Sequence, residues 1–392
     1  YYELYTKFGD IPYTTKVLSI KESMSIARTA KATVIANVLA DLDEVINGNY
    51  LPTSYDADNK GRITRWAAMA IKAKIYLFEG NWTQVKNITS TIMTEGGFKL
   101  FGSYAGLFEI ANEYNSEVIL DAQYRPTSRE HQMMYVFLPP TLGGYSQLSP
   151  LQELVDSYIM LDGKTIKETG TSFDESHPYA NRDPRLKATV MYTGNSYTLA
   201  DGTEVVINCE KGEGKDGYGV GSDCSATGYY IKKYWDNTYR ATLYSGLNPI
   251  LIRYADILLM NAEALAELGE LDKTAWDATI KPIRDRAGFT LASALEFPEG
   301  ASKDKLIEIV RNERRSELAL EGHRHKDIIR WRIADNVLNG WCHGLKTNDV
   351  VGTDDGYVRV ENRTFNANKH YLWPIPQAER DLNGNLEQNP NW

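Results

Sequence analysis

Three glutamates in the last third of the chain have the residue type and the spacing for hydrolytic chemistry. Glu313, Glu317 and Glu321 recur every four residues, so on a helix they lie one above another. Most glycoside hydrolases use a pair of carboxylates, one of which acts as a general acid with a raised pKa. A glycoside hydrolase on a helical scaffold is therefore one hypothesis for this chain.

Arginines stand among these glutamates and favour a different interpretation. They are Arg311, Arg314, Arg315 and Arg324. Opposite charges three or four positions apart on a helix usually pair. Pairing lowers the pKa of a carboxylate, which is the wrong direction for a general acid. We therefore predict a structural ion network here and no catalytic residue.

The histidines and the acidic loop do not define a metal site. His323 and His325 are two positions apart, whereas the zinc motif HExxH needs two histidines four apart on one helical face. Four acids in the Gly-rich loop 209–224 could hold calcium, but they lack a regular ligand spacing. They are Glu210, Glu213, Asp216 and Asp223. We expect no cofactor and no metal, with calcium possible but unsupported.

Two cysteines flank the same loop. A disulfide between Cys209 and Cys224 would close about fifteen residues and contribute roughly 3 kcal/mol to stability in the chain-entropy model. Two free thiols are the alternative, and Cys342 has no evident partner.

The aromatic composition favours recognition of sugars. The chain has 25 Tyr and 8 Trp but only 10 Phe. Tyr and Trp combine an apolar ring face with a polar edge, and sugar rings offer apolar C–H faces and hydroxyl edges. Packing between helices is the alternative for any single tyrosine. Trp235 lies in an irregular segment with several tyrosines nearby, so it is either a stacking platform or part of a hydrophobic cluster under a loop.

Charge and hydropathy exclude other classes of partner. The formal net charge of −9 argues against nucleic acid, because a phosphate backbone needs a basic surface. No run of about eighteen apolar residues occurs, so the sequence predicts no transmembrane helix.

Helical periodicity occurs in the first and the last parts of the chain. Residues 22–46 predict one helix, and residues 62–95 predict two helices separated by Gly80. Residues 253–288 repeat that pattern around Gly269, and both units resemble tetratricopeptide-like helix pairs. A further helical segment starts at Lys303. The predicted class is therefore mainly α, with parts at 1–120 and 249–392 as helical scaffold.

The middle of the chain has a different character. Residues 121–248 are rich in Gly, Pro, Tyr and Ser, with short β-like runs at 117–122 and 187–192. Long loops inside a compact protein are usually functional or disordered, and the aromatic residues favour function here. We predict that this loop-rich region, with short strands, carries the binding site.

Several segments, in order, resemble the SusD/RagB family. They are FGDIPYTT (8–15), GRITRWAAMAIKAKIYLFEGNW (61–82), LVDSYIMLDGKTI (154–166), NPILIRYADILLMNAEALAELG (248–269), RNERRSELALEGHRHKDIIRW (311–331) and LWPIPQAERDLNGNLEQNP (372–390). The resemblance covers nearly the whole chain, 1–392, as a single SusD-like unit. The closing stretch alternates apolar residues with prolines, so we expect it to be extended and structural.

The resemblance implies a non-catalytic surface receptor. Members of the family are lipoproteins anchored to the outer membrane, and they deliver oligosaccharides or polysaccharides to a SusC-like TonB-dependent transporter. The chain starts at Tyr1 with what reads like the middle of a helix, so we expect the N-terminal part with the lipid anchor to lie outside it. A peptide-binding repeat adaptor is a further alternative.

Composition and topology, rather than any family motif, select the expected ligand-binding residues. Aromatic rings would stack on sugar faces, and a guanidinium would bind hydroxyl groups. The candidates are Trp235, Tyr234, Tyr239, Tyr135, Tyr145 and Arg125.

Overall fold

The computed structural model describes residues 1–392 and is mainly helical, as predicted. The helices are α1 Tyr2–Phe8, α2 Ile20–Ser23, α3 Lys31–Asn47, α4 Arg65–Phe78, α5 Trp82–Glu95, α6 Met133–Phe137, α7 Gln152–Ser157, α8 Pro184–Thr189, α9 Tyr254–Leu268, α10 Lys273–Ala278, α11 Ile280–Ala287, α12 Ala292–Leu295, α13 Lys303–Glu317, α14 Arg324–Arg330, α15 Ala334–Val337 and α16 Gln377–Leu382. None of them has the length and apolar character needed to cross a bilayer.

The strands are short and form four small sheets. They are β1 Val118–Asp121, β2 Val190–Met191, β3 Ser196–Thr198, β4 Glu204–Val206, β5 Tyr230–Ile231, β6 Ile250–Arg253, β7 Gly340–Lys346, β8 Thr353–Asp354 and β9 Tyr357–Arg363. β1 pairs antiparallel with β6, β2 with β5 and β3 with β4, and β9 lies between β7 and β8. The three-stranded sheet near residue 350 falls within a part of the chain where the sequence predicted only helix and tail.

The two predicted helix pairs are present and pack against each other. The hydroxyl of Thr64 caps α4, and the Asn81 side chain caps α5. Gly80 and Gly269 both adopt the left-handed conformation that ends the first helix of each pair. Buried alanines of α4 let α5 and α9 approach closely, so the facing sides of these helices form one hydrophobic core.

Two predicted helices are interrupted for identifiable reasons. The helix expected over 22–46 is interrupted between α2 and α3, and Thr29 in this gap forms a backbone bridge with Ile11. The second helix of the later pair breaks at Thr279 into α10 and α11. Pro282 has no N–H, so a continuous helix would lack a hydrogen bond there.

The β-like run at 187–192 was predicted wrongly for its first half. Residues up to Thr189 belong to α8, and only Val190 and Met191 form a strand. The helix starts because Asp183 accepts a hydrogen bond from the N–H of Arg185, with Pro184 at the first helical position.

Arg28 ties the two ends of the chain together. Its guanidinium donates to the backbone oxygens of Phe8, Asp10 and Glu387 at 2.8–3.0 Å, and to Oδ1 of Asn389 at 2.6 Å. The FGD segment and the closing stretch, far apart in sequence, therefore meet at one side chain. These contacts agree with the structural role expected for the closing stretch, but the expectation of an extended chain was wrong over Gln377–Leu382, which form α16.

The loop-rich middle has its own hydrophobic core. Twenty-three buried residues form this cluster, including Tyr158, Tyr197, Tyr229 and Tyr230. Leu345 joins it from the later sheet. These contacts hold long irregular segments in defined positions even though they contain few regular elements.

A buried network of ten charged side chains joins the middle region to the helices. Its members are the acids Glu117, Asp183, Glu313, Glu317 and Glu321 and the bases Arg185, Lys233, Arg253, Arg284 and Arg286. Five negative charges thus face five positive charges. Because Arg185 and Lys233 lie in the middle region and the three later glutamates lie in or just after α13, the network fixes one part against the other.

We predict that Arg253→Met destabilises the protein by roughly 3–5 kcal/mol, because removing one partner of a buried ion pair leaves carboxylates without compensation. Arg253 binds Glu117 at 2.7 Å, Glu317 at 2.6 Å and Glu321 at 2.8 Å. Urea unfolding followed by circular dichroism measures the loss.

Lys305→Met is the matched control, since Lys305 forms an exposed pair with Glu308. Such pairs contribute about 0–1 kcal/mol. Equal unfolding midpoints for the two variants would contradict the structural importance of the network.

Candidate functional site

The three glutamates proposed as alternative catalytic residues lie inside this network. Glu317 is fully buried, and the guanidiniums of Arg185, Arg253 and Arg286 surround its carboxylate. Glu313 binds Arg185 and Arg284 at 2.7 Å. These carboxylates have no free surface on which a glycosidic bond could be placed.

The pKa values of these glutamates move in the direction expected for ion pairs. Burial by itself raises the pKa of Glu321, but Arg253 and Lys233 lower it to about 2. Burial likewise opposes the fall for Glu317, yet its three arginines bring the pKa well below its ordinary value. A general acid needs the opposite shift, so these residues do not suit that role.

The predicted network is present, but the predicted partners were wrong. Arg314 pairs with Asp256 and Asp327, while Arg311 pairs with Glu267. The glutamates instead bind bases from other elements. Spacing on one helix identified the charges that pair but could not identify partners more than 25 positions away.

Tyr234 and Tyr239, two of the expected ligand-binding residues, are buried. Tyr234 is 8% exposed, and its ring packs edge-on against Phe108 with centroids 4.9 Å apart. Its φ of 67° reverses the chain, and its hydroxyl donates to the Leu320 oxygen at 3.2 Å. A ring covered in this way cannot stack on a sugar unless the core opens, so neither tyrosine belongs to the candidate surface described below.

Trp235 is half-buried at the edge of the middle region. Its ring lies 5.0 Å from that of Tyr197, and its Nε1 donates to the Thr198 oxygen at 3.2 Å. Asn237 donates to the same oxygen at 2.6 Å. Trp235 therefore packs on the core, as the hydrophobic-cluster alternative expects, and its role as a stacking platform stays a prediction.

We give the name tyrosine surface to three tyrosines, the half-buried Tyr135 and the exposed Tyr145 and Tyr244. The rings of Tyr135 and Tyr145 are 4.4 Å apart and tilted by 34°. Tyr145 is 39% exposed and Tyr244 is 43% exposed. The neighbouring Tyr145 phenol, burial and, to a smaller extent, Tyr244 raise the pKa of Tyr135.

Backbone hydrogen bonds position this surface. The N–H of Tyr145 donates to the Tyr135 oxygen at 3.0 Å, which holds the loop after Gly143 against α6. His131 and Ser245 exchange two backbone hydrogen bonds of 2.9 Å. Tyr244 is thereby fixed beside the segment that leads into α6, although no regular sheet forms there.

Arg125 lies in the exposed turn before His131. Its N–H donates to the Arg129 oxygen at 2.8 Å, and Arg129 places its guanidinium 5.3 Å from the Tyr124 ring. The Arg125 side chain is exposed and forms no ion pair, so its donors are accessible. Three of the six expected residues thus lie in neighbouring segments of the chain, with Arg125 before α6, Tyr135 within it and Tyr145 after it.

A second aromatic site was not found from the sequence. A cleft of about 1200 Å³, which we call the aromatic cleft, is lined by Tyr179, Tyr192, Tyr229, Phe173 and Tyr357 among others. The Tyr179 and Tyr192 rings stack 3.9 Å apart at 17°. Tyr179, Tyr192 and Tyr357 are single residues in separate segments. Only folding brings them together, whereas the sequence analysis selected tyrosines that cluster along the chain.

The Gly-rich loop 209–224 holds free cysteines. Cys209, Cys224 and Cys342 are all unpaired, so the structure adopts the free-thiol alternative. In the same loop, Asp216 accepts a hydrogen bond from the N–H of Thr141 at 2.7 Å. No group of three or more His, Cys, Asp or Glu side chains comes together in a way that could hold a metal ion.

Comparison with known proteins identifies the family. Residues 107–392 match the sequence model of the SusD family, and residues 1–77 match one described as "Starch-binding associating with outer membrane". The chain belongs to the SusD family.

Individual relatives are similar at moderate identity. SusD-like protein P25 of Formosa agariphila is 28% identical over 86% of this chain, which spans 62% of that relative's length. A SusD-like carbohydrate-binding protein of Bacteroides fragilis is 29% identical, with a TM-score of 0.86 over 98% of this chain and 77% of that one. A laminarin-binding SusD-like protein, 23% identical, has the same fold with a TM-score of 0.66 over 100% of this chain and 76% of that one.

The lowered carboxylate pKa values predict loss of stability in acid. Between the ordinary pKa of about 4.5 and the folded pKa of about 2, Glu321 binds more protons in the unfolded than in the folded chain. The contribution of Glu321 to the free energy of unfolding is therefore complete above pH 4.5 and is lost as the pH falls toward 2. Glu321→Gln should lower the free energy of unfolding by roughly 3 kcal/mol at pH 7, and this loss should become smaller below pH 4.5.

Urea unfolding at pH 7, 4.5, 4 and 3.5 measures this difference. Glu308→Gln, which changes an exposed pair, should stay within about 1 kcal/mol of the parent protein throughout. A cost for Glu321→Gln that does not change with pH would contradict the assignment of a lowered pKa.

Proposed function

We propose that this protein binds a glycan at the tyrosine surface on the outside of the cell, without catalysing its cleavage. The observation that carries the proposal is the accessible Tyr135–Tyr145 ring pair, with Tyr244 and the free donors of Arg125 in adjoining segments. Adjacent half-exposed rings suit the apolar faces of successive sugar units, and nearby polar groups suit their hydroxyls.

Membership of the SusD family supports glycan as the ligand class. A relative of this family at 29% identity is described as carbohydrate-binding, and the family description of residues 1–77 refers to starch binding. That description also associates such proteins with the outer membrane. We extend the proposal to a lipid-anchored protein that passes its ligand to a SusC-like TonB-dependent transporter.

The buried ion network argues for binding rather than hydrolysis. The carboxylates with the most suggestive spacing are paired with arginines and inaccessible, so the hydrolase alternative loses its candidate residues. The helix pairs bury their facing sides in a common core, so these sides are not available to a peptide.

We predict that Tyr145→Ala weakens glycan binding about tenfold, equivalent to roughly 1.4 kcal/mol, because it removes one face of the tyrosine surface. Affinity electrophoresis against a panel of neutral polysaccharides that includes starch and laminarin identifies a ligand. Calorimetry then gives the affinity of each variant, and an assay for new reducing ends tests for hydrolysis.

Tyr50→Ala is the matched control, since Tyr50 is 66% exposed and lies outside the middle region. It should bind like the parent protein. Loss of binding in Tyr192→Ala instead of Tyr145→Ala would move the site to the aromatic cleft. Unchanged binding in Tyr145→Ala, Tyr192→Ala and Trp235→Ala would overturn the proposed site, and glycan-dependent release of reducing ends would overturn the non-catalytic function.

We further predict that the full-length protein, tagged and expressed in its own cells, co-purifies with an outer-membrane TonB-dependent transporter. External protease should also digest it on intact cells. Purification from detergent-solubilised outer membranes, followed by mass spectrometry, identifies the partner. A periplasmic marker protein controls for cell leakage, and recovery in the cytosolic fraction would contradict this localisation.

A further inference from the structure

Arg315 and Arg324 differ from the arginines around them because neither has a carboxylate partner. Arg314, the neighbour of Arg315, binds Asp256 at 2.6 Å and Asp327 at 2.9 Å. The guanidinium of Arg315 donates only to the backbone oxygen of Glu153. Arg324 forms no hydrogen bond and lies 5.8 Å from the Trp331 ring.

The two unpaired guanidiniums influence each other. Burial, and then the neighbouring charge of Arg324, lower the pKa of Arg315 to about 10. Burial also lowers the pKa of Arg324. Two largely buried like charges without a directly paired carboxylate are unfavourable, and a bound anion would relieve this cost.

Both side chains line one cavity of about 580 Å³ between α13, α14 and β7. This volume lies within the range of about 300–1,000 Å³ typical of small-molecule sites. Arg314, Arg315, Arg324 and Arg363 face it, against the carboxylates of Glu153 and Asp327. Arg314 pairs with Asp256 and Asp327, and Arg363 pairs with Glu361, so Arg315 and Arg324 are the two lining cations without a carboxylate partner.

The two carboxylates of the cavity are already engaged. Glu153 pairs with Nδ1 of His343 at 2.8 Å, and Asp327 lies between Arg314 and Arg330 at 2.9 Å from each. His323 also lines the cavity, and burial lowers its pKa to about 4, so it carries no charge at neutral pH. The free donors of Arg315 and Arg324 thus have no internal acceptor.

Most of the uncharged lining is apolar. Ten of the 22 lining residues are hydrophobic, and Trp341, which is 42% exposed, contributes an aromatic ring. A ligand that matches this arrangement has an apolar face and an anionic group. The planar guanidinium fits carboxylate and sulfate oxygens through two parallel hydrogen bonds.

We propose that this cavity binds an acidic sugar, a saccharide unit that carries a carboxylate or a sulfate ester, with its anion on Arg315 and Arg324 and its ring against Trp341. The proposal rests on the proposed glycan-binding function and adds a separate site with a defined ligand chemistry. The cavity is formed by the later helices and sheet, whereas the tyrosine surface is formed by the middle region.

The test compares four probes by calorimetry: glucuronic acid, glucose 6-sulfate, glucose and inorganic sulfate. We expect at least one of the two acidic sugars to bind at least tenfold more tightly than both glucose and inorganic sulfate. Which acidic sugar binds more tightly distinguishes a carboxylate from a sulfate ligand. Higher salt should weaken the interaction.

Arg315→Gln and Arg324→Gln should each weaken binding of the acidic sugar at least tenfold. Arg311→Gln is the matched control because it removes the same charge from α13, but Arg311 already pairs with Glu267 at 2.9 Å and does not line the cavity. It should stay within twofold. Arg324→Lys keeps the charge but loses the planar fork, so it should also weaken binding.

Relief of repulsion should keep the Tm of Arg324→Gln at or above that of the parent protein, whereas a purely structural role would lower it. Equal affinity for glucose and the acidic sugars, or unchanged affinity in both glutamine variants, would overturn the proposal. Inorganic sulfate binding as tightly as the acidic sugars would also overturn it. None of these variants should change binding of a neutral glycan at the tyrosine surface, so failure of this site and failure of the proposed function are distinguishable.

Discussion

The arrangement of this protein depends on neutralising one buried carboxylate. Glu317 is removed from water, and an isolated ion in that position would cost several kcal/mol. Arg185, Arg253 and Arg286 compensate it, and each of them also binds another acid of the network. The helices and the loop-rich region must therefore meet in one relative position, since a shift of either would leave a buried charge without a partner.

This constraint explains how long irregular segments can present a defined surface. Lys233 reaches into the network, where it binds Glu321 at 2.6 Å. The same segment reverses at Tyr234 and leaves Trp235 at the edge. Backbone bonds around His131 and Ser245 then fix the segments that carry the tyrosine surface. A rigid scaffold that positions aromatic loops is a common arrangement for binding sites.

The balance of charges also distinguishes the two unpaired arginines. In the buried network, each acid pairs with at least one base, and the five acids equal the five bases in number. Arg315 and Arg324 lie outside that balance and face a cavity with a tryptophan at its wall. Glu317 is structural because its charge is fully paired. Arg315 and Arg324 are available to a ligand because their charges are not.

The sequence by itself determined the helical class, the two helix pairs around Gly80 and Gly269, and the family. These features depend on local periodicity, on turn residues and on motifs that are contiguous in the chain. It also indicated that the glutamates of α13 are paired. The tertiary structure alone decided which arginines pair with them, which tyrosines are buried and which are exposed, and that Tyr179 stacks on Tyr192. Those outcomes depend on contacts between segments that are distant in the sequence. Local sequence does not specify which distant charge or ring packs beside a given residue.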